Sequence, residues 1–405
     1  KKVINFGKGF PDKSLYPFQL FKKSIDSLTK KWDAPQDNQT TEDHDEWLKQ
    51  QFSYASNLGN PSFRHNLTSF LNSHWSTKKV SADHMMVTAG CTQAIQYILS
   101  THREKESDIV VVEDPTFFVM PSVIVESTKL KIETVSVDAD GLVIEELEAL
   151  LDKYGSRIRF LYTIPVYQNP LGVNMSHERR QRLAALAHKH HFYILADEVY
   201  QLLSFHDLQS PHSSRPPPLP LFTYDTSKDG RIFSISSFSK VTFPGLRLGY
   251  VLTKQGTSLL SRYQDTKGMM FGGGGLNPMM SSMVSEMVLS GDFEKHLNVV
   301  RQEYAARLNV LCDGLESLND YFGPIFSFRK PVGGYFLFVH LNESLISLDA
   351  FHAAAQLNGV VYYKGTRASF IENPAFSSYI RLSFGFLTQD EIREGIARFS
   401  LICSS

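Results

Sequence analysis

The predicted fold rests on residues 158–200, which read IRFLYTIPVYQNPLGVNMSHERRQRLAALAHKHHFYILADEVY. Ile158–Ile164 and Phe192–Ala196 are nearly continuous apolar runs, as expected for strands that are buried on both faces. Between them, Ser176–His190 begins with a serine that can cap a helix and carries apolar residues at helical spacing. The stretch therefore predicts two parallel strands joined by a right-handed helical crossover.

The same alternation of strand and helix recurs along the first 290 residues. The further apolar runs are Met85–Thr88, Ile109–Glu113 and Ile232–Ser236, and the further helical patterns include Thr92–Ser100 and Ile144–Tyr154. Such alternation predicts an α/β fold in which a mostly parallel sheet is covered by helices on both faces, giving three layers.

The pattern changes after about residue 290. Gly291–Leu318 is a long helical pattern, and it is followed by strands at Tyr335–Leu341 and Tyr379–Phe384 and by a closing helix. We therefore expect three segments: an N-terminal arm over residues 1–50, which contributes to the small domain and to the substrate side, a large domain over 51–290 and a small α+β domain over 291–405.

Composition excludes several classes of protein. The 405 residues are 42% hydrophobic and 20% charged, and the net charge of -1 provides no bulk positive field for nucleic acid or an anionic membrane. No apolar run approaches the roughly 18 residues of a membrane span. Three cysteines are too few for a disulfide scaffold, so we expect a cytoplasmic protein.

Two segments are predicted to be solvated loops. Asp33–Glu46 holds six acidic residues and no Lys or Arg, and Ser210–Pro220 holds five prolines. The histidines at 188, 190 and 191 lie at one predicted helix end, where they are expected to interact with the helix dipole rather than with a metal.

Chemically different residues follow five successive predicted strands. In chain order they are Gly90, Cys91 and Thr92, then Phe117, then Asn169, then Asp197 and Tyr200, and finally Ser237, Ser239 and Lys240. Ligands of open parallel sheets bind outside the carboxyl ends of the strands, so we expect these residues to share one edge. An anion cradle, an aromatic ring, a carboxylate and a lysine that can form a Schiff base are the parts needed to hold pyridoxal 5′-phosphate.

The segment SFSKVTFPGLRLGY at residues 237–250 resembles the signature of class I/II pyridoxal-phosphate-dependent aminotransferases of fold type I. The resemblance covers nearly the whole chain and includes residues 5–12, 54–64, 168–172, 197–200, 331–337 and 380–384. The glutamine before Asn169 and the Glu-Asp-Pro-Thr segment at 113–116 are similar to the 2-aminoadipate, kynurenine and aromatic aminotransferase group.

The resemblance implies a role for each residue on the cofactor side. Lys240 would form the Schiff base and move the substrate proton, and Asp197 would pair with the pyridinium nitrogen. Asn169 and Tyr200 would donate to the ring oxygen, and Phe117 would stack on the ring. The phosphate would be bound by the backbone at Gly90, Cys91 and Thr92, by Ser237, Ser239 and Arg247, and by Tyr54 of a neighbouring subunit, which implies a homodimer.

On the substrate side, the resemblance implies that Arg381 clamps the α-carboxylate, with Gly9 and Asn169 beside it. The expected reaction moves an amino group between a 2-aminoadipate-like or aromatic amino acid and a 2-oxo acid, for which 2-oxoglutarate is the expected compound. A cysteine-conjugate β-lyase and a non-catalytic sensor of the same fold remain alternatives. Gly272–Gly275 stands where relatives often have a Ser or Thr that contacts the phosphate.

Overall fold

A computed structural model describes residues 2–33, 35, 39–54, 56–77, 79–205, 219–227, 230–254 and 276–404. Gly272–Gly275 lies outside these residues, as does Ser210–Pro220 except for its last two positions. The α-helices are α1 (Phe18–Asp33), α2 (Thr41–Phe52), α3 (Pro61–His74), α4 (Cys91–His102), α5 (Val119–Thr128), α6 (Ile144–Tyr154), α7 (His177–His190), α8 (Pro278–Leu289), α9 (Asp292–Phe322), α10 (Leu348–Leu357) and α11 (Gln389–Cys403).

The β-strands are β1 (Ile4–Asn5), β2 (Met85–Thr88), β3 (Ile109–Asp114), β4 (Lys131–Asp138), β5 (Gly141–Leu142), β6 (Ile158–Thr163), β7 (Tyr193–Asp197), β8 (Ile232–Ser237), β9 (Gly249–Leu252), β10 (Phe326–Phe328), β11 (Phe336–Leu341), β12 (Val360–Val361), β13 (Tyr363–Lys364) and β14 (Tyr379–Ser383). None of the helices in the described residues is both long and apolar enough to cross a membrane.

The central sheet has eight strands in the order β2-β9-β8-β7-β6-β3-β4-β5. Neighbours from β8 through β4 are parallel, whereas β9 is antiparallel to both β2 and β8. Because β9 is antiparallel to both of its neighbours, β2 and β8 run in the same direction. The carboxyl ends of all five predicted strands therefore meet at one edge, and the predicted α/β fold is confirmed.

Helices cover both faces of this sheet because its buried strands alternate their side chains between two cores. Val111, Leu161 and Ile194 belong to one cluster, which includes residues of α6, α7 and α9. Val112, Tyr162 and Leu195 belong to a second cluster with residues of α4 and α5. The result is the predicted three-layer arrangement, in which the central parallel strands β3, β6, β7 and β8 are buried on both faces.

The acidic segment Asp33–Glu46 was predicted to be a loop, and this is wrong at both ends. Helix α1 continues to Asp33, and α2 begins at Thr41. The Thr40 hydroxyl accepts a hydrogen bond from the backbone N–H of Asp43, and the Asp43 carboxylate accepts one from the backbone of Thr40. Acidic side chains stabilise the first turn of a helix, so the charge that suggested solvated loop instead supports the start of α2.

The end of the chain forms a second sheet of four antiparallel strands in the order β10-β11-β14-β13. The predicted long helix is confirmed as α9 and packs against α11. The N-terminal strand β1 pairs in parallel with β12, so the start of the chain joins the late elements and not the large sheet. The division at residues 50 and 290 stays a prediction.

Candidate active site

A cavity of about 600 Å³ opens at the carboxyl edge of the central sheet. Twelve of the fourteen predicted site residues line it: Gly9, Cys91, Thr92, Phe117, Asn169, Asp197, Tyr200, Ser237, Ser239, Lys240, Arg247 and Arg381. Gly90 is the residue that caps the N-terminus of α4 beside the cavity. Tyr54 is 86% exposed and is not part of the lining among the described residues.

Lys240 follows β8 on a short 3-10 turn that carries its side chain into the cavity. Its Nζ donates a hydrogen bond to the carbonyl oxygen of Gly9 at 2.7 Å. Burial lowers the pKa of Lys240 to about 8, although the nearby Asp197 carboxylate favours the ammonium form. Burial therefore enlarges the fraction of this amine that is unprotonated near neutral pH, and the unprotonated amine is the form that attacks a carbonyl group.

Asp197 ends β7 with a carboxylate that is 5% exposed. One oxygen, Oδ2, accepts a hydrogen bond from the Tyr162 hydroxyl at 2.9 Å. The other, Oδ1, is buried and has no hydrogen-bond partner within the described part of the chain. Burial raises the pKa of Asp197, while Tyr162, Lys240, the Val199 backbone and the Cys91 thiol act in the opposite direction. A buried carboxylate oxygen without a donor fits a protonated ring nitrogen of a bound cofactor.

The start of α4 and the side chain of Arg247 form an anion cradle. Backbone N–H groups in the first turn of a helix have no partner within the helix, and here they belong to Cys91 and Thr92. Arg247 donates to the carbonyl oxygen of Ala89 at 3.0 Å. Gly90 has a φ of 99°, and a Cβ added there would lie 2.8 Å from Nη2 of Arg247. The absence of a side chain at Gly90 thus keeps this space open, as a bound phosphate requires.

The opposite side of the cavity is built around Arg381 on β14. Its Nη1 donates to Oδ1 of Asn169 at 2.9 Å, and its Nη2 donates to the carbonyl oxygen of Gly7 at 2.8 Å. Its Nε is buried without a partner in the described residues. Burial lowers the pKa of Arg381 to about 10, so the guanidinium remains charged at neutral pH. A buried, charged fork with a free donor suits a carboxylate ligand.

Aromatic rings surround the Arg381 guanidinium. The centres of the Phe336 and Tyr363 rings lie 4.2 and 4.8 Å from its central carbon, and Phe118 packs edge-on against Tyr363 at 5.2 Å. Tyr200 is buried beside Phe336, and burial raises the pKa of its hydroxyl, which therefore stays protonated and can donate. The rings exclude water from the guanidinium and so strengthen its interaction with an anion.

Sequence reasoning missed Tyr162, Phe118, Phe336 and Tyr363. Tyr162 lies inside an apolar run, where it reads as a core residue. Phe336 and Tyr363 belong to the late strands and reach the cavity only because β14 lies between β11 and β13. Phe118 directly follows the predicted Phe117 and also lines the cavity, so the aromatic pair was the one local signal available.

The fold and the cavity are typical of an enzyme in which a helix N-terminus, a buried carboxylate and a lysine line one pocket. The family model described as aminotransferase class I and II matches residues 34–399, and the chain belongs to this family. Family members use pyridoxal phosphate, and the chain is a pyridoxal-phosphate-dependent transaminase of fold type I. The residues present fit this cofactor, because an unpartnered carboxylate oxygen, a helix N-terminus with Arg247 beside it and a lysine share one cavity.

Similar proteins span almost the whole chain. An uncharacterized aminotransferase of Saccharolobus solfataricus is 28% identical over 98% of this chain and 90% of its own length. An uncharacterized HTH-type transcriptional regulator of Bacillus subtilis is 24% identical, over 99% of this chain and 74% of its own length. Aromatic-amino-acid aminotransferase 1 of Thermococcus litoralis is 26% identical over 98% of this chain and 87% of its own length. The structure of kynurenine aminotransferase from Pyrococcus horikoshii matches with a TM-score of 0.80 at 23% identity and covers 100% of this chain and 91% of that one.

Proposed function

We propose that this aminotransferase works through Lys240 and moves an amino group from an aromatic or 2-aminoadipate-like amino acid to 2-oxoglutarate. The observation that carries the proposal is the placement of three groups on one cavity. The Lys240 amine has a lowered pKa, Asp197 has a buried oxygen without a donor, and Arg381 has a buried guanidinium with a free Nε.

Pyridoxal phosphate, when bound, supplies an electron sink for the α-carbon of the substrate. Asp197 would hold the cofactor's ring nitrogen in its protonated form, and Asn169 and Tyr200 would donate to the ring oxygen. Phe117 would pack against the ring face. The phosphate would be bound by the start of α4, to which Gly90, Cys91 and Thr92 contribute, and by Ser237, Ser239 and Arg247.

Lys240 would take the proton from the substrate α-carbon at Nζ, a transfer worth about 10²–10⁴-fold in rate. The lowered pKa of this amine suits the role, because a base works best when its pKa is near the operating pH. Arg381 would bind the substrate α-carboxylate and so fix the orientation of the Cα–H bond relative to Nζ. Gly9 and Asn169 complete this side of the site. The Gly9 carbonyl oxygen accepts a hydrogen bond from Lys240, and the Asn169 side-chain oxygen accepts one from Arg381.

The lining of the substrate side supports an aromatic donor. Phe10, Phe118, Phe336 and Val361 supply apolar surface there, and the similarity to an aromatic-amino-acid aminotransferase agrees with it. Lys8 also lines the cavity, and its Nζ lies 4.4 Å from the centre of the Phe386 ring without an ion-pair partner in the described residues. This positive charge would accommodate the second carboxylate of 2-oxoglutarate or 2-aminoadipate.

We place the protein in the cytoplasm as a homodimer, without nucleic-acid or membrane partners. The highly exposed Tyr54 supports the dimer, since a two-fold partner would bring its hydroxyl to the phosphate in the other cavity. Three free cysteines and a net charge of -1 support the compartment and the choice of partners. The similarity to a transcriptional regulator keeps a sensor as the second candidate.

The test combines product analysis with covalent trapping. A panel of amino donors with 2-oxoglutarate should give glutamate and a new oxo acid, whereas pyruvate and ammonia would indicate a β-lyase and no turnover would indicate a sensor. Borohydride should attach the cofactor covalently to the wild type and not to Lys240→Ala. Lys254→Ala is the control, because Lys254 Nζ donates to the Ser227 carbonyl oxygen at 2.9 Å, outside the cavity lining. Trapping on Lys240→Ala would refute the assignment.

A further inference from the structure

Two buried polar side chains behind the cavity have no role in the scheme above. Glu113 lies at the carboxyl end of β3, and Gln168 lies between β6 and α7; each is 1% exposed. Neither belongs to the described cavity lining. Burying such groups is costly unless their hydrogen bonds are satisfied, so their partners reveal what they hold in place.

All the hydrogen bonds to the Glu113 carboxylate come from the end of the neighbouring strand β6 and from the loop that follows β6. Oε2 accepts from the backbone N–H of Ile164 at 3.1 Å and from Nε2 of Gln168 at 3.1 Å. Oε1 is hydrogen-bonded to the Thr163 hydroxyl. Burial raises the pKa of Glu113 to about 7 despite these bonds.

Gln168 uses all the polar atoms of its side chain. Nε2 donates to Glu113 and also to the carbonyl oxygen of Pro115 at 2.8 Å, while Oε1 accepts from the backbone N–H of Leu171 at 3.0 Å. One amide therefore joins two separate segments, the loop that follows β3 and the loop that follows β6.

Each of these loops carries residues of the candidate site and touches the late part of the chain. In the second loop, Asn169 accepts from Arg381 on β14. In the first loop, which leads to Phe117, the backbone N–H of Thr116 donates to the carbonyl oxygen of Ala368 at 2.8 Å. The Gln168 amide thus fixes the position of Asn169 relative to the loop that carries Phe117.

We propose that Glu113 and Gln168 are a positioning pair that holds Asn169 against Arg381 and thereby sets the affinity of the site for the substrate carboxylate. The inference rests on the proposed function, because it concerns the carboxylate that Arg381 would bind. The pair touches neither the substrate nor the cofactor and acts through Asn169.

The test replaces Gln168 with Leu, which is of similar size and removes both the donor and the acceptor of the side-chain amide. The KM of the amino donor and the dissociation constant of 3-phenylpropanoate, an aromatic carboxylate without an amine, should both rise about tenfold or more, the size expected for a misplaced charge-assisted hydrogen bond. The kcat should change less than the KM. Asn319→Leu is the matched control, since the Asn319 amide makes two backbone hydrogen bonds to Phe326 and neither residue lines the cavity.

A second pair of variants keeps the test decisive if Gln168→Leu does not fold. Glu113→Ala should weaken carboxylate binding in the same way, whereas Glu113→Gln keeps an acceptor for Gln168 and should restore it. Asn319→Leu should lower the melting temperature and leave the KM and the dissociation constant unchanged. The proposal is overturned if Gln168→Leu or Glu113→Ala behaves in the same way. It is also overturned if Glu113→Gln is as defective as Glu113→Ala. Failure of the proposed function would show differently, as a wild type that neither transfers amino groups nor binds the carboxylate.

Discussion

Tyr162→Phe should weaken cofactor binding without removing any residue that lines the cavity. The Tyr162 hydroxyl donates to Oδ2 of Asp197 at 2.9 Å and is the first of the hydrogen-bonding groups that lower the pKa of this carboxyl, ahead of the Val199 backbone and the Cys91 thiol. A hydrogen bond to a charged group contributes about 1.5–3 kcal/mol. Its loss raises the pKa of Asp197 further, so that less carboxylate is available to pair with the ring nitrogen. We expect the dissociation constant of pyridoxal phosphate to rise roughly 10–100-fold at pH 7.

The assay is a titration of the cofactor-free protein with pyridoxal phosphate, followed by absorbance at several pH values. The defect should shrink as the pH rises, since a carboxyl with a raised pKa regains its charge there. Tyr154→Phe is the control, because the Tyr154 hydroxyl donates to Glu133 on β4 at 2.7 Å and neither residue lines the cavity. Equal affinity of Tyr162→Phe and the wild type across this pH range would refute the reasoning.

Three further outcomes follow from the geometry of the cavity. Gly90→Ala should lose cofactor affinity, because the added Cβ would contact Arg247. Gly155 has a φ of 57° and an added Cβ there would have no atom within 4 Å, so Gly155→Ala should lose only stability, by about 1–3 kcal/mol. Equal cofactor affinity in the two variants would contradict this. Aldehyde labelling of Lys240 in the cofactor-free protein should be half-maximal near pH 8, and a midpoint near 10.5 would refute the burial argument. Arg381→Lys keeps the charge but loses the fork, so kcat/KM should fall about 10–100-fold with cofactor affinity intact, and an unchanged kcat/KM would count against the clamp.

The parts of the fold that the sequence predicted correctly are those with a strong local signal. β3, β6, β7 and β8 are buried on both faces and so read as continuous apolar runs. β4 was missed because most of its residues are partly or fully exposed, which breaks the run. A strand at the margin of a sheet does not need the apolar pattern by which central strands are recognised.

The same limit explains the error at α2. Its first turn contains Glu42 and Asp43, and a window rich in acidic residues between two tryptophans resembles a solvated loop in composition. Only the reciprocal hydrogen bonds between Thr40 and Asp43 distinguish a helix start from a loop, and threonine followed three residues later by aspartate is a weaker sequence signal than the usual glutamate.

The sequence by itself predicted that the residues at five strand ends, from Gly90 to Lys240, lie at one edge of the sheet, because the carboxyl ends of parallel strands share an edge. Tertiary structure decided the rest. Near Arg381, Phe118 packs against Tyr363, although the two residues lie far apart in the chain. The buried hydrogen bond between Gln168 and Glu113 likewise connects two separate loops. Such contacts depend on how separate strands pack against one another, and no local pattern of residues encodes that packing.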